Sequence, residues 1–190
     1  YSVLSEAALT PIPAAFSFEQ AAAYPAAYLT AYVSLVRRAN LQPGETLLVH
    51  GATGGVGMAA VDLGKQLGAT VIATSASDEK LQKVVDYGAD YALNVTQGFK
   101  DRVKALTGGK GADVIYDPVG GDVFDESTRC IAFDGRLLVI GFTSGRIAQI
   151  NTNIPLIKGF SVVGVRAGEY GRRFPEKGRE NMEAIWKLEK

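Results

Sequence analysis

Thr46-Leu-Leu-Val-His50-Gly-Ala-Thr-Gly-Gly-Val-Gly57-Met-Ala-Ala60 is apolar as far as Val49, small-residue-rich for eight positions, and then helix-forming. This is the layout of a strand, a tight turn and a helix. Read as a glycine fingerprint, Ala52 takes the place of the first glycine, and Gly54 and Gly57 are the second and third. Small residues are needed there so that the chain can reverse out of the strand, the backbone can approach a diphosphate, and the helix can pack on the sheet. The N–H groups opening the helix then face the phosphates. The plainer reading is a connecting turn without a ligand. The context favours nucleotide binding, because the turn sits between a strand and a helix and a second strand ends about 20 residues later. No Gly-Lys-Ser/Thr follows, which excludes a mononucleotide P-loop.

Outward from this turn, β-branched runs alternate with helical stretches. Strands are predicted at 46–50, 70–74, 90–93, 113–117, 136–140 and 161–165, and helices at 55–67, 78–87, 98–107, 121–131 and from 175 toward the C-terminus. Strands apolar throughout, such as Arg136-Leu-Leu-Val-Ile140, suit a parallel sheet covered on both faces. The expected fold class is therefore α/β, a doubly wound parallel six-stranded sheet (Rossmann fold) preceded by a short helical segment. Within that segment, Ser17 and Gln20 form a capping-box pattern, Pro25 is expected to interrupt the helix, and a second helix reaches Ala39 before Pro43-Gly44. Residues 1–40 read as a helical linker and 41–190 as the dinucleotide-binding domain.

Composition narrows the function. In 190 residues, 20 Lys and Arg balance 20 Asp and Glu, which argues against a nucleic-acid protein. One cysteine, Cys130, and one histidine, His50, leave no disulfide framework and no ligand set for a zinc site. No apolar run reaches the roughly 18 residues of a membrane span, and the N-terminus lacks a signal-peptide pattern, so a soluble cytoplasmic protein is expected. The segment Ala21-Ala-Ala-Tyr-Pro-Ala-Ala-Tyr-Leu-Thr-Ala-Tyr32 is too apolar for free solvation and is expected to pack against a partner.

The second strand should end beside the adenosine ribose, where an NAD enzyme places a carboxylate. Here the residues are Ser75-Ala-Ser-Asp-Glu-Lys80. Ser75 and Ser77 leave room for a 2′-phosphate that Lys80 can neutralise, which favours NADPH. Alternatively, Ser77 is only an N-cap and Lys80 a solvated cation, and Asp78 reaching back to the ribose would favour NADH.

Arg37-Arg-Ala-Asn-Leu-Gln-Pro-Gly-Glu45, the turn to Gly57, Thr30-Ala-Tyr32, Ser75 to Lys80, Tyr116-Asp-Pro-Val-Gly-Gly121 and Gly135-Arg-Leu-Leu-Val-Ile-Gly-Phe-Thr-Ser-Gly145 stand in one order. Together they resemble the zinc-independent quinone oxidoreductase branch of the medium-chain dehydrogenase/reductase superfamily. The resemblance implies metal-free hydride transfer from NADPH to a quinone or an α,β-unsaturated carbonyl. It implies that the backbone around Gly55 and Val56 holds the pyrophosphate, that Ser75, Ala76, Ser77 and Lys80 surround the 2′-phosphate, and that Thr30 with Gly141, Phe142 and Thr143 lines the nicotinamide. It also implies an N-terminal catalytic domain outside this chain and a homodimer paired through Phe160-Ser-Val-Val-Gly-Val165. Two positions depart from the family pattern: Val95, where a tyrosine often follows Asn94, and Leu29, where glycine often precedes Thr30.

The catalytic residues are not identified by the sequence. Tyr28 and Tyr32 are candidate proton donors but also suit packing. His50 reads as a structural histidine with phosphate or substrate contact as the alternative, Cys130 as a small core residue on a helix, and Asp117 as a turn acid or cofactor neighbour. An enoyl-reductase module of a fatty-acid or polyketide synthase, and a non-catalytic nucleotide-binding module, are the alternative functions.

Overall fold

A computed structural model describes residues 3, 4, 6 and 9–188. Six parallel strands, β1 Thr46–Val49, β2 Thr70–Ser75, β3 Tyr91–Asn94, β4 Ala112–Asp117, β5 Ile131–Val139 and β6 Ser161–Gly164, lie in the order β3-β2-β1-β4-β5-β6. This is the doubly wound Rossmann order, and the chain changes direction between β1 and β4. The helices are α1 Phe18–Tyr32, α2 Gly55–Gln66, α3 Asp78–Asp86, α4 Lys100–Leu106, α5 Gly121–Ser127, α6 Asn153–Lys158, α7 Ala167–Arg173 and α8 Pro175–Trp186.

The continuous apolar strands are explained by a core on each face. Leu47, Val49, Val71, Ala73, Val114, Tyr116 and Leu138 pack toward α1 and α2. Their neighbours Leu48, Ile72, Ile115 and Leu137 point the other way, onto Phe99, Val103, Phe124 and Phe160. Alternate residues of one strand thus enter opposite cores. Gly64 lets α2 lie close to the sheet, since a Cβ there would stand 2.5 Å from Leu47 Cδ2.

Three sequence expectations are corrected. Pro25 does not interrupt the first helix, which runs unbroken from Phe18 to Tyr32 and continues as a π-helical turn over Val33–Arg38. A proline removes one backbone hydrogen bond, and the burial of Ala31 and Leu35 in the core against the sheet offsets that loss. The capping box of Ser17 and Gln20 is present, each side chain bonding the other's backbone N–H. The helix expected over 121–131 ends at Ser127, so Cys130 lies in the turn before β5, although it is fully buried in the core as expected. Burial pushes its thiol up to about 12. Finally, β5 begins at Ile131, five residues early, because Asp134 (φ 62°) and Gly135 form an irregularity within the strand and do not end it.

The apolar N-terminal segment packs against α2 and α8. Tyr24 stacks between Tyr28 and Trp186, with centroids 3.9 and 5.6 Å away. Arg136 grips Glu45, just before β1, with two hydrogen bonds of 2.8 and 2.6 Å and donates through Nε to the Ala39 carbonyl. This ties the approach to β1 to β5.

Candidate nucleotide-binding site

Beyond the C-terminal ends of β1, β2, β4 and β5 the connecting turns are zipped together by backbone bonds. His50 N–H donates to the Tyr116 carbonyl, Ala52 N–H to Thr74 and Ile140 N–H to Asp117, each at 3.0 Å. The positive φ of the glycine turn falls on Gly51 (56°), leaving Ala52, fully buried, in a conformation open to any L-residue. The fingerprint puts Ala52 in the first glycine's place, and the glycine with positive φ stands one residue before it. Gly57 has no room for a side chain, because a Cβ would run into the Gly51 carbonyl oxygen and lie 2.7 Å from Ala52 Cα. A Cβ on Gly55 would meet nothing within 4 Å, and one on Gly54 only the Gly51 carbonyl oxygen at 3.5 Å. Both residues are exposed, so their smallness keeps the outer side of the turn clear.

Gly54 is the N-cap of α2 and supplies no side-chain cap, and the first turn holds no acidic residue. Its carbonyl receives the Met58 N–H, so the N–H groups of Gly55, Val56 and Gly57 have no intrahelical acceptor. They leave an electropositive patch at the β1 to β4 switch point.

Ser75 ends β2 beside this turn. Its Oγ lies 3.3 Å from Thr53 Oγ1 and accepts from Ser77 N–H at 3.3 Å. Ser77 is the N-cap of α3, yet its hydroxyl makes no capping bond. Ala76 is exposed between them, and Lys80, in the first turn of α3, is exposed without an ion-pair partner among the described residues. Asp78 does not reach back to the end of β2: Oδ1 accepts from Asn94 Nδ2 at 2.8 Å.

On the other side of the switch, Thr143 and Ser144 N–H donate to the Pro118 and Val119 carbonyls at 3.1 and 3.0 Å. Gly141 fits against the Pro118 oxygen, and Gly120 (φ 71°) fits against Phe142 and Gly141. Phe142 remains half exposed at the crevice. Asp117 is buried and clamps its own turn, with Oδ1 accepting from Val119 and Gly120 N–H at 2.8 and 2.9 Å. Burial pushes its carboxyl up, and those two amides oppose the shift. Of the two readings offered for Asp117, the turn acid describes what it touches. Sequence reasoning assigned no site role to Gly51, Thr53 or Gly120, although each lies in a Gly-rich stretch following a strand.

Thr30 stands on α1 with its hydroxyl donated to the Ala26 carbonyl at 2.8 Å, and no hydrogen bond joins it to Gly141, Phe142 or Thr143. Tyr28 donates to Asp62 Oδ2 at 2.7 Å and lies 3.2 Å from the Tyr87 hydroxyl. Burial and these two partners raise its pKa, making it a poorer acid. It lines a separate recess of about 820 Å³ between α1 and α2, which meets the glycine turn only at Gly55. Tyr32 packs under the Arg37 guanidinium, 5.9 Å from its ring centre.

His50 is enclosed. Nδ1 lies 2.8 Å from Thr74 Oγ1 and Nε2 2.8 Å from Ser127 Oγ. A neutral ring donates through one nitrogen only: the Ser127 hydroxyl gives its proton to the Val123 carbonyl at 2.7 Å, a shorter bond than the 3.3 Å from Thr74 Oγ1 to the Val49 carbonyl, so Ser127 accepts from Nε2–H and Nδ1 accepts from Thr74. Loss of hydration holds the ring neutral, with its pKa lowered to about 3. It is a structural histidine with both nitrogens satisfied.

No three His, Cys, Asp or Glu side chains among the described residues lie together as a metal site. Nor is any described helix long and apolar enough to cross a membrane.

A family model described as zinc-binding dehydrogenase matches residues 55–186. The chain is 46% identical over 183 residues to the quinone oxidoreductase-like protein 2 homolog of Nematostella vectensis, covering 95% of this chain and 50% of that protein. It therefore spans about half the length of such relatives. Among solved structures, the quinone oxidoreductase of Thermus thermophilus, determined also in complex with NADPH, aligns with a TM-score of 0.83 at 31% identity, covering 98% of this chain and 57% of that one. The CurK enoyl reductase aligns with a TM-score of 0.84 at 28% identity, covering 94% and 53%. Sequence, strand order and glycine turn agree: the chain belongs to the zinc-binding dehydrogenase family, within the medium-chain dehydrogenase/reductase superfamily.

Proposed function

We propose that this chain is the NADPH-binding part of an oxidoreductase that reduces a quinone or an α,β-unsaturated carbonyl compound. The observation that carries the reading is the uncapped start of α2 behind an open Gly54-Gly55, next to a β2 that ends in hydroxyls and not in a carboxylate. The amides of Gly55 and Val56 bind the diphosphate, with Gly57 and Ala52 holding the helix start against the strand. Ser75, Ala76, Ser77 and Lys80 surround the 2′-phosphate. Gly141, Phe142, Thr143 and Thr30 line the nicotinamide. When bound, NADPH supplies a hydride to the quinone or to the β-carbon of the enone; the chain's own residues contribute binding and orientation. The reading is of hydride transfer without a metal, as the resemblance to the quinone oxidoreductase branch implies. An N-terminal catalytic domain, in the half of the relatives that this chain does not span, completes the substrate side.

The full-length protein is expected to oxidise NADPH with a quinone or a simple enone. Turnover confined to carrier-bound enoyl thioesters would favour the enoyl-reductase reading, which the likeness to CurK supports. Nucleotide binding without turnover would favour a non-catalytic module. Replacing Lys80 by alanine is expected to weaken NADPH binding about tenfold and leave NADH nearly unchanged, as read by nucleotide fluorescence. An equal loss for both would remove Lys80 from the 2′-phosphate site.

We also propose a homodimer. Among the described residues β6 pairs only with β5, and Leu156, Ile157 and Phe133 beside it are 82%, 73% and 81% exposed. An unpaired edge flanked by apolar side chains is suited to antiparallel pairing with a second copy. Sedimentation should show a dimer that Val162→Lys dissociates; a monomer at all concentrations would contradict it.

A further inference from the structure

We propose that Asn94 determines cofactor specificity by holding Asp78 away from the ribose. It is a positioning residue acting through Asp78, and the inference rests on the NADPH reading above. Asp78 is 21 positions beyond Gly57, about where a dinucleotide fold places the acid that accepts from ribose hydroxyls. A free carboxylate there would attract a 2′-hydroxyl and repel a 2′-phosphate. In this chain it is not free.

Asn94 ends β3 and stands opposite Ser75 in the sheet register. Its Oδ1 accepts from Thr96 N–H at 2.9 Å and from Thr96 Oγ1 at 2.8 Å. A backbone N–H can only donate, so the orientation of the amide is fixed and Nδ2 must face Asp78 Oδ1, 2.8 Å away. The Asn94 carbonyl is held in turn by Arg102 Nη1 at 3.0 Å. Asp78 is thereby anchored over the end of β3, one strand outward from β2. The Ser75 hydroxyl lies toward the glycine turn, near Thr53. Two acidic residues open α3, yet the end of β2 presents hydroxyls because the nearer acid is tied down from the neighbouring strand.

The test measures Kd for NADPH and for NADH, by nucleotide fluorescence, on this chain and on Asn94→Ala. The ratio of Kd for NADH to Kd for NADPH is expected to fall about tenfold, with NADPH weakened and NADH tightened. Adding Asp78→Ala to Asn94→Ala should restore the preference for NADPH. A purely structural role would weaken both nucleotides together and show no restoration, and that result overturns the proposal. Asn94→Ser gives the same comparison in a second background, so the conclusion does not hang on one variant's folding. If the unaltered chain binds both nucleotides equally, the 2′-phosphate reading itself fails. If it prefers NADPH and Asn94→Ala leaves the ratio unchanged, only the role of Asn94 fails. Binding of neither nucleotide overturns both.

Discussion

Replacing Gly57 by alanine is expected to abolish measurable NADPH binding and to lower stability by about 3 kcal/mol. The added methyl group would collide with backbone, the Gly51 carbonyl and Ala52 Cα, and neither can swing aside as a flexible side chain could. Relief requires the start of α2 to lift from the turn, which displaces the amides of Gly55 and Val56 from the positions that face a diphosphate. Affinity loss and destabilisation therefore have one cause. Gly55→Ala provides the contrast: its Cβ would meet no protein atom, so stability should stay within about 1 kcal/mol while nucleotide affinity falls. Urea unfolding and nucleotide titration of the two variants separate the effects. Normal nucleotide binding by Gly57→Ala would mean that the turn does not hold the diphosphate.

The second large effect is a pH dependence of stability that one residue produces. His50 is the chain's only histidine. Its folded pKa is lowered to about 3 by burial, whereas an unfolded histidine titrates near 6.5. Below about pH 6.5 the unfolded chain takes up a proton that the folded chain refuses, so stability falls as pH falls, at about 1.4 kcal/mol per pH unit, until pH approaches 3. Between pH 7 and pH 5 the loss should be about 2 kcal/mol. Asp117 acts with the opposite sign, since its raised pKa favours the folded state at lower pH and loses that contribution as pH rises through it. A His50→Gln variant isolates the histidine: it should be less stable at pH 7, and the part of the slope due to His50 should vanish. Urea midpoints at the two pH values report this directly, and an unchanged slope in His50→Gln would contradict the buried neutral ring.

Much of the fold was legible because the signals were local. Alternation of apolar strands and amphipathic helices located all six strands, and the strand, turn and helix expected around Gly51–Gly57 are present. What the sequence obscured depended on packing. Pro25 reads as a break, but α1 is held by contacts of Ala31 with the core that no local rule includes. The strand predicted at 136–140 omits Ile131–Gly135, but Asp134 N–H donates to the Gly159 carbonyl and the strand runs through the irregularity. The short helices α6 and α7 contain no fully buried residue, so they lack the periodic apolar stripe that would reveal them.

The site shows the same division. Ser75 to Lys80 is contiguous, so all its hydroxyls, acids and the lysine are visible in one stretch. The attachment of Asp78 to Asn94 spans sixteen positions and joins the start of α3 to the end of β3, so the choice between a ribose acid and a tethered acid needed the register of β2 and β3. Tyr28 looked like an available proton donor because nothing nearby in sequence shows that Asp62, on α2, takes its hydroxyl.

The most direct test of the central claim is an amide-resolved NMR titration of this chain with NADPH. Saturable shifts in Gly54–Gly57, Ser75–Lys80 and Gly141–Thr143, with the Ser75–Lys80 shifts reduced when NADH is used, are the predicted result. Shifts confined to the recess between α1 and α2, or none in the glycine turn, would contradict it.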